Sequence, residues 1–404
     1  MDSKNAQAFS GANLENARDH NRRVAIEAVR VNGTLSRADL ARITGLSVQT
    51  VSNIADELVA GDLLVESLVQ IRSRGKPPKL LSINPNGAYS IGLQLDHNWL
   101  IGMLLDLSGR RCGEVTVRVA SPTPQQGLPA LEAATRQLVS NAGITLDRVC
   151  GVSVVMPGPF EVDQVLANGP TVLPDWGDAP ISEWLSQRLG LPVYLENDAT
   201  AAAMGEHYFG VARQYRNVVT IFVGTGLGGG VLVNGQPYRG TFGNAGEIGH
   251  MVVYPDGKRC YCGNRGCAET YLSIHSAFEH LGYPSAPAVY DELLDRFGSQ
   301  DPELQTWMET AATVLRILVV NLENLFDPET IVINGFMPQP ILAELERRAT
   351  PLPPSVSSRR QRAAPRLILG AVGQEVAALG AAVLPLFYSF GHLTPVGAAV
   401  PIKI

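Results

Sequence analysis

Glu247-Ile248-Gly249-His250, followed ten residues later by Cys260-Tyr261-Cys262-Gly263-Asn264-Arg265-Gly266-Cys267, sets three cysteines within eight residues of one another and a histidine just upstream. Three thiolates and one imidazole are the four tetrahedral donors that a closed zinc site requires. Gly263 and Gly266 give the backbone the freedom to curl so that three sulfurs converge on one ion. The reading is one structural Zn2+ per chain, held by His250, Cys260, Cys262 and Cys267, with no coordination position left open for catalysis. Cys112 and Cys150 lie alone in apolar, strand-like text. A tight cysteine cluster without paired partners elsewhere points to metal ligation and a reducing compartment instead of disulfides.

Working outward, the 404 residues are too many for one small core and predict two or three domains. With 45% hydrophobic and 17% charged residues and 40 glycines, the composition is that of a globular chain. No apolar run reaches the roughly 20 residues that span a bilayer, and the polar start lacks a signal-peptide core. The expectation is a cytoplasmic protein without membrane contact. The net charge is −6, yet residues 1–84 carry eleven Lys/Arg against nine Asp/Glu. An acidic chain with a mildly basic front end places any polyanion partner at the front.

That front end carries a pattern of its own. Residues 1–19 read as a polar arm, and a helix is expected over 21–31, stopped by Asn32-Gly33. Ser36 caps a second helix over 37–44, closed by Gly45. Ser47 caps a third over 48–60, closed by Gly61. On the third helix Val48, Val51, Ile54, Ala55, Leu58 and Val59 share one side at 100° per residue, while Gln49, Ser52, Asn53 and Asp56 gather on the other with Thr50 at the margin. An apolar side for docking and short polar side chains for base edges are what a recognition helix needs. Two strands follow, over 63–71 and 79–83, joined by Arg72-Ser73-Arg74-Gly75-Lys76-Pro77-Pro78, a cationic tip suited to phosphates or a minor groove. Residues 1–84 are therefore expected to be a winged helix-turn-helix that binds double-stranded DNA through Arg37, Ser47, Gln49, Thr50, Asn53, Arg72, Arg74 and Lys76.

Beyond the turn at 84–87, strands and helices alternate, which predicts a two-lobed α/β body with mixed sheets. The smaller lobe is assigned to 85–198 plus about 387–404 and the larger, with the zinc site, to 199–386. Asn197-Asp198 at a strand end, with Glu247 and Glu269 around the metal loop, form a polar set suited to adjacent sugar hydroxyls. Gly224-Thr225-Gly226-Leu227-Gly228-Gly229-Gly230 reads as a Gly-rich turn able to approach a phosphate.

Met156-Pro157-Gly158-Pro159, Glu196-Asn197-Asp198-Ala199, the 224–230 turn, Glu247-Ile248-Gly249-His250 and the segment from Cys260 to Glu269 together resemble the ROK family of bacterial sugar repressors and sugar kinases, over nearly the whole chain. The resemblance implies a hexokinase/actin-like (ribonuclease H-like) body whose lobes close over a sugar. It implies sugar contacts at Asn197, Asp198, Glu247, His250 and Glu269, with Asp198 at the position of the general base in the kinase members. Those members open with an Asp-x-Gly-Gly-Thr hairpin that holds ATP phosphates. Here the corresponding turn is Asp96-His97-Asn98-Trp99-Leu100, where bulky residues replace both glycines. Ile331-Val332-Ile333-Asn334-Gly335-Phe336 also keeps a single glycine where the kinases show more. The expectation is a repressor of carbohydrate genes, controlled by a sugar or sugar phosphate, with no catalytic residue and Asp198 a vestigial base. Two-fold operators imply a homodimer or tetramer. The alternative is an active ROK-type ATP-dependent sugar kinase with a DNA-binding appendage, and the 96–100 turn discriminates the two.

Overall fold

A computed structural model of the chain describes residues 14–68, 79–158, 169–177, 179–283, 290–357 and 362–390. The cationic tip with Arg72, Arg74 and Lys76 lies outside these residues, as does most of the 159–178 loop.

The N-terminal unit runs α1 (Leu14–Asn32), β1 (Leu35–Ser36), α2 (Arg37–Thr44), α3 (Val48–Ala60), β2 (Leu64–Leu68) and β3 (Lys79–Ile83). α1 starts seven residues before the periodic segment, because the polar 14–20 stretch continues the helix without contributing to the apolar stripe that sequence periodicity detects. Ser36 Oγ accepts from the Asp39 amide and Ser47 Oγ from the Thr50 amide, each 3.1 Å, so both helices begin where a hydroxyl satisfies an orphan N–H. Gly45 closes α2 in the left-handed region at φ 72°. After α3 it is Asp62, at φ 61°, and not Gly61 that takes the left-handed turn. β3 pairs antiparallel with both β2 and β1, giving a small sheet with order β1-β3-β2 beside three helices. A core of Ala25, Ile26, Val29, Leu40, Val51, Ile54, Leu58, Leu64 and Leu81 holds the unit together. Val48 is not part of it. At 64% exposure it stands free on the first turn of α3.

The body contains two five-stranded sheets. The first uses β4 (Tyr89–Leu95), β5 (Trp99–Asp106), β6 (Arg111–Arg118), then α4 (Pro124–Asn141), β7 (Val149–Met156), α5 (Ile181–Leu189) and β8 (Val193–Asn197). The second follows α6 (Asp198–Phe209) and uses β9 (Val218–Val223), β10 (Leu227–Val233), β11 (Gln236–Pro237), then α7 (Ile274–His280), α8 (Asp291–Gly298), α9 (Pro302–Phe326), β12 (Thr330–Gly335), α10 (Gln339–Ala349), β13 (Leu367–Leu369) and the last helix, α11 (Val376–Phe390). Strand orders are β6-β5-β4-β7-β8 and β11-β10-β9-β12-β13. Each sheet is thus an antiparallel meander extended by two parallel strands. The same topology twice is a structural repeat with no sequence repeat behind it: both copies satisfy the same hydrogen bonds and bury the same faces with different residues. α7, α8 and α10 were not anticipated; two are single-turn to two-turn helices and α10 opens on Pro338-Gln339-Pro340, text that reads as a loop.

α6 and α11 lie side by side between the sheets, and their sequences explain the close approach. A Cβ on Gly380 would stand 1.7 Å from the Ala201 carbonyl, and one on Gly205 2.2 Å from the Val376 carbonyl. With Ala199, Ala201, Ala202, Ala203, Ala378, Ala381 and Ala382 fully buried, the two helices mesh through backbone and methyl groups. Gly92 of β4 lets α11 sit equally close on the first sheet. Parts of both lobes therefore share one interior through α6 and α11.

Candidate functional site

The cleft between the sheets is reached from β8. Asn197, the last residue of β8, N-caps α6: its Oδ1 accepts from the amides of Ala199 (2.9 Å) and Thr200 (3.3 Å). The cap fixes the side chain and leaves its Nδ2 beside Gly158, with Glu247 Oε1 on the same side. Asp198 Oδ1 accepts from Ala199 N at 2.7 Å. Glu196 faces the opposite way, as strand alternation demands, and its carboxylate takes a hydrogen bond from Arg239 Nε at 2.7 Å. Asn197, Asp198, Glu247, His250 and Glu269 all line one cavity, about 530 Å³ of empty space with its solvent mouth included, together with Asp96, Gly158, Thr171, Gly226 and Tyr261. The structure brings together all five residues singled out as sugar contacts, and adds three that sequence reasoning did not name, Thr171, Tyr261 and the Gly158 backbone.

The electrostatics are those of a crowded acidic pocket. Burial, with the neighbouring Asp96 carboxylate, pushes Asp198 from 3.8 up to about 7. Glu247 and Glu269 are each pushed up to about 7, in both cases mainly by desolvation. Asp96 is raised too, again by burial. Glu269 Oε2 accepts from Leu227 N at 3.0 Å, one of few direct protein hydrogen bonds in the set. Carboxylates with unused acceptor capacity around a small polar void can receive several hydroxyl donors at once. A polyol meets that demand, and a second anion does not.

The Gly-rich segment divides in two. Only Gly224-Thr225-Gly226 turns the chain. Gly228, Gly229 and Gly230 belong to β10, where a Cβ on Gly230 would lie 2.2 Å from the Ala199 carbonyl and one on Gly229 2.8 Å from the Gly246 carbonyl. Three of these glycines therefore exist so that α6 and the metal loop can press against the strand, and not for phosphate approach.

On the far wall the metal loop is preorganised. The donor atoms of His250, Cys260, Cys262 and Cys267 all lie within 4.8 Å of one another. Cys262 Sγ and Cys267 Sγ are 3.6 Å apart, as are Cys260 Sγ and His250 Nδ1. A tetrahedral zinc with ordinary bond lengths places such atoms about 3.6–3.8 Å apart, so the four residues fit the ion. Gly266 has φ 70°, and a Cβ there would strike the Tyr254 carbonyl at 1.6 Å. The other imidazole nitrogen, Nε2, sits 3.2 Å from Tyr261 Oη. That contact makes Tyr261 a bridge between the metal loop and the cleft.

The turn Asp96-His97-Asn98 joins β4 to β5 and closes the cavity from the first lobe. Asn98 Nδ2 donates to Tyr290 Oη at 2.9 Å, and Tyr290 Oη is 3.2 Å from Thr225 Oγ1. Asn98 and Tyr290 are both buried. Side chains on either side of the cleft are thus linked beside this turn.

In the N-terminal unit the candidate DNA contacts separate. Gln49, Ser47 and Asn53 are exposed along the N-terminal half of α3, and Gln49 Nε2 donates to Asn53 Oδ1 at 3.0 Å, with Thr50 hydrogen-bonded to Ser47. Arg37 behaves differently: its guanidinium holds Ser52 Oγ (2.8 Å), Asp56 (2.7 Å) and Glu66 (3.0 Å), which ties α2, α3 and β2 together. This arginine braces α3 from within the unit. Val48 takes a surface position that the helical periodicity had assigned to the core.

The unit is fastened to the body at three points. Arg148 donates to Asp62 Oδ2 at 3.3 Å and to the Asn86 carbonyl. Phe390, the end of α11, packs on the N-terminal core. Arg30 of α1 stacks over the Tyr208 ring, 4.9 Å from its centroid, with Glu27 holding the guanidinium through two hydrogen bonds of 2.6 and 2.7 Å.

Against known proteins, the ROK family matches residues 100–386. A xylose repressor of Bacillus spizizenii is 28% identical over 315 residues, 78% of this chain and 82% of that protein. The crystal structure of a ROK family transcriptional regulator, homologous to the E. coli MLC protein, superposes with a TM-score of 0.74 at 25% identity, covering 93% of this chain and 98% of the other. A ROK hexokinase from Thermus thermophilus superposes at 0.58 with 28% identity, over 73% of this chain and 97% of its own. No helix among the described residues is long and apolar enough to cross a membrane.

Proposed function

The chain belongs to the ROK family, and from that premise we propose that it is a DNA-binding transcriptional repressor of sugar-metabolism genes whose grip on its operator is set by a sugar in the acidic cleft. The observation that carries this reading is α6. Its first residue, Asp198, lines the cleft, and Tyr208, ten residues on, carries Arg30 of the N-terminal unit. Twelve helical residues span about 18 Å as one rod. Because α6 meshes with α11 through glycine and alanine contacts, neither helix bends independently, and Phe390 delivers the motion of α11 to the same unit. A sugar that binds the closed lobes better than the open ones shifts the position of both helices, and with them α1.

In this reading Asn197 Nδ2 donates to a hydroxyl, while Asp198, Glu247 and Glu269 accept from adjacent ones. Zinc, when bound, contributes a rigid loop; His250, Cys260, Cys262 and Cys267 hold it, and Tyr261 passes its rigidity to the sugar side. The cluster's donor spacing supports zinc over a redox role, and no ligand position is left for catalysis. On DNA, Ser47, Gln49, Thr50 and Asn53 of α3 read base edges, with Val48 placed to meet a thymine methyl. Arg72, Arg74 and Lys76 bind phosphates or the minor groove. A symmetric dimer or a tetramer supplies two such units for two half-sites.

Phosphoryl transfer is absent from this proposal. His97, Asn98 and Trp99 stand in the turn where the kinase members carry the glycines that cradle ATP phosphates, and transfer depends on that positioning, which supports a non-catalytic reading. Similarity of fold to a hexokinase supports the sugar cleft and not the reaction. The test is twofold: fragments of the source genome are selected with the purified protein, and the selected duplex is challenged with a panel of aldoses, amino sugars and their phosphates, while ATP consumption is followed with the same panel. Release or tightening of DNA by one sugar, without ATP turnover, supports the proposal. Sugar-dependent ATP consumption overturns the non-enzyme reading and favours a kinase with a DNA-binding appendage.

A further inference from the structure

At the opposite end of α6 from Asp198 a second cavity opens between the N-terminal unit and the body, with about 1080 Å³ of empty space including its solvent mouth. Three elements that the proposed coupling uses form its walls: α1 (Ile26, Glu27, Arg30), the end of α6 (Tyr208, Phe209) and α11 (Phe387, Phe390). The β5–β6 turn, with Ser108 and Arg110, closes one side, and Arg213 stands at the rim.

The chemistry of the lining is asymmetric. Its floor is aromatic and aliphatic, whereas three guanidiniums face one carboxylate, Glu27, among the lining residues. Glu27 is already held by Arg30 through two hydrogen bonds. The Arg110 guanidinium meets the buried Asp106 through Nε, at 3.1 Å, and the side chain is 72% exposed. Arg213 makes no ion pair or hydrogen bond among the described residues. An apolar slot capped by two arginines with spare donors is complementary to an anion on an apolar body, since burial of the body and pairing of the head reinforce each other.

We propose that this joint cavity is a ligand site, separate from the sugar cleft, for a small organic anion with an aromatic or aliphatic body, its anionic group between Arg110 and Arg213. The occupant wedges between α1 and the ends of α6 and α11, so it acts on the same joint that the cleft acts on from the other end. Binding at this site does not depend on the sugar reading being right.

The test uses the full chain and two dyes of similar shape, 1-anilinonaphthalene-8-sulfonate, which is anionic, and neutral N-phenyl-1-naphthylamine. The anionic dye is expected to saturate at one per chain. Arg110→Glu and Arg213→Glu are each expected to weaken it about tenfold or more while leaving the neutral dye within twofold. Ser108→Trp, which fills the slot, is expected to exclude both dyes, and Arg347→Glu on a distant surface to change neither. Anionic-dye affinity that survives both charge reversals, or falls in step with that of the neutral dye, overturns the anion site. Undiminished binding of both dyes to Ser108→Trp overturns the cavity as the place of binding, whatever the sugar experiments give.

Discussion

Replacing Asp198 by Asn should stabilise the ligand-free protein while abolishing its response to sugar. The carboxyl lines the cleft at the start of α6, and burial beside Asp96 raises it from 3.8 in the unfolded chain to about 7 in the fold. The folded state therefore holds its proton where the unfolded state has lost it. Stability is unaffected below pH 4, declines as pH rises from about 4 to 7, and carries the full penalty above 7. At 1.36 kcal/mol per pKa unit that penalty is about 4 kcal/mol. Part of it returns when Asp96 relaxes, so a gain of about 1–3 kcal/mol is expected for Asp198→Asn at pH 8. The asparagine Oδ1 can still accept from Ala199 N, so the start of α6 survives the change. For a body of roughly 300 residues this corresponds to a Tm increase of a few degrees. The assay is thermal unfolding of both proteins at pH 8 and pH 6, with zinc present. The variant should gain more at pH 8 than at pH 6, and no sugar that shifts the native Tm should shift that of the variant. A variant that is less stable at pH 8, or equally altered at both pH values, would refute the buried-carboxylate reasoning.

Other consequences can be checked separately. Cys267→Ser should reduce bound zinc from one per chain to a small fraction by metal analysis. It should also lower stability by several kcal/mol, because three sulfurs and one imidazole gathered in a small loop lose the ion that holds them together. Arg30→Ala removes the stack on Tyr208; sugar affinity and DNA affinity measured separately should each change less than threefold, whereas the effect of saturating sugar on DNA affinity should largely vanish. Gln49→Ala should cost about 1–3 kcal/mol on the preferred operator and relax the preference at one base pair, seen by comparing binding to single-base operator variants. Gly380→Ala should destabilise by 3 kcal/mol or more in denaturant melts, since the new methyl meets the Ala201 carbonyl at 1.7 Å and neither backbone can retreat.

Much of this architecture was legible because local signals coincide with tertiary demand. Ser36 and Ser47 mark helix starts since their hydroxyls do the capping, and the boundaries of α2 and α3 follow to the residue. The His250–Cys267 spacing gave the donor set because a tetrahedral ion tolerates few alternatives. The five proposed sugar residues meet in one cavity, as the shared motif text implied. What escaped depends on packing that no local pattern encodes. Val48 fits the apolar phase of α3 yet is exposed in the fold. Arg37 was expected among the DNA contacts, yet Asp56 and Glu66 come together around it only once the unit is folded. Gly228–Gly230 read as a turn because glycine runs often are; the neighbours that require them are distant in sequence, Ala199 of α6 nearly thirty residues before and Gly246 about seventeen after. Thr171 and Tyr290 carry no motif at all, Tyr261 sits inside the cysteine motif with nothing to mark its own role, and the doubled sheet topology leaves no trace in residue identity.

The most direct test of the central claim is the affinity of the full chain for a selected operator duplex, by fluorescence anisotropy, with and without a saturating concentration of the sugar that raises its Tm. A change of at least tenfold, lost in Asp198→Asn, is what an α6 linkage between cleft and recognition helix predicts. An operator affinity that stays the same when the cleft is demonstrably filled would contradict it.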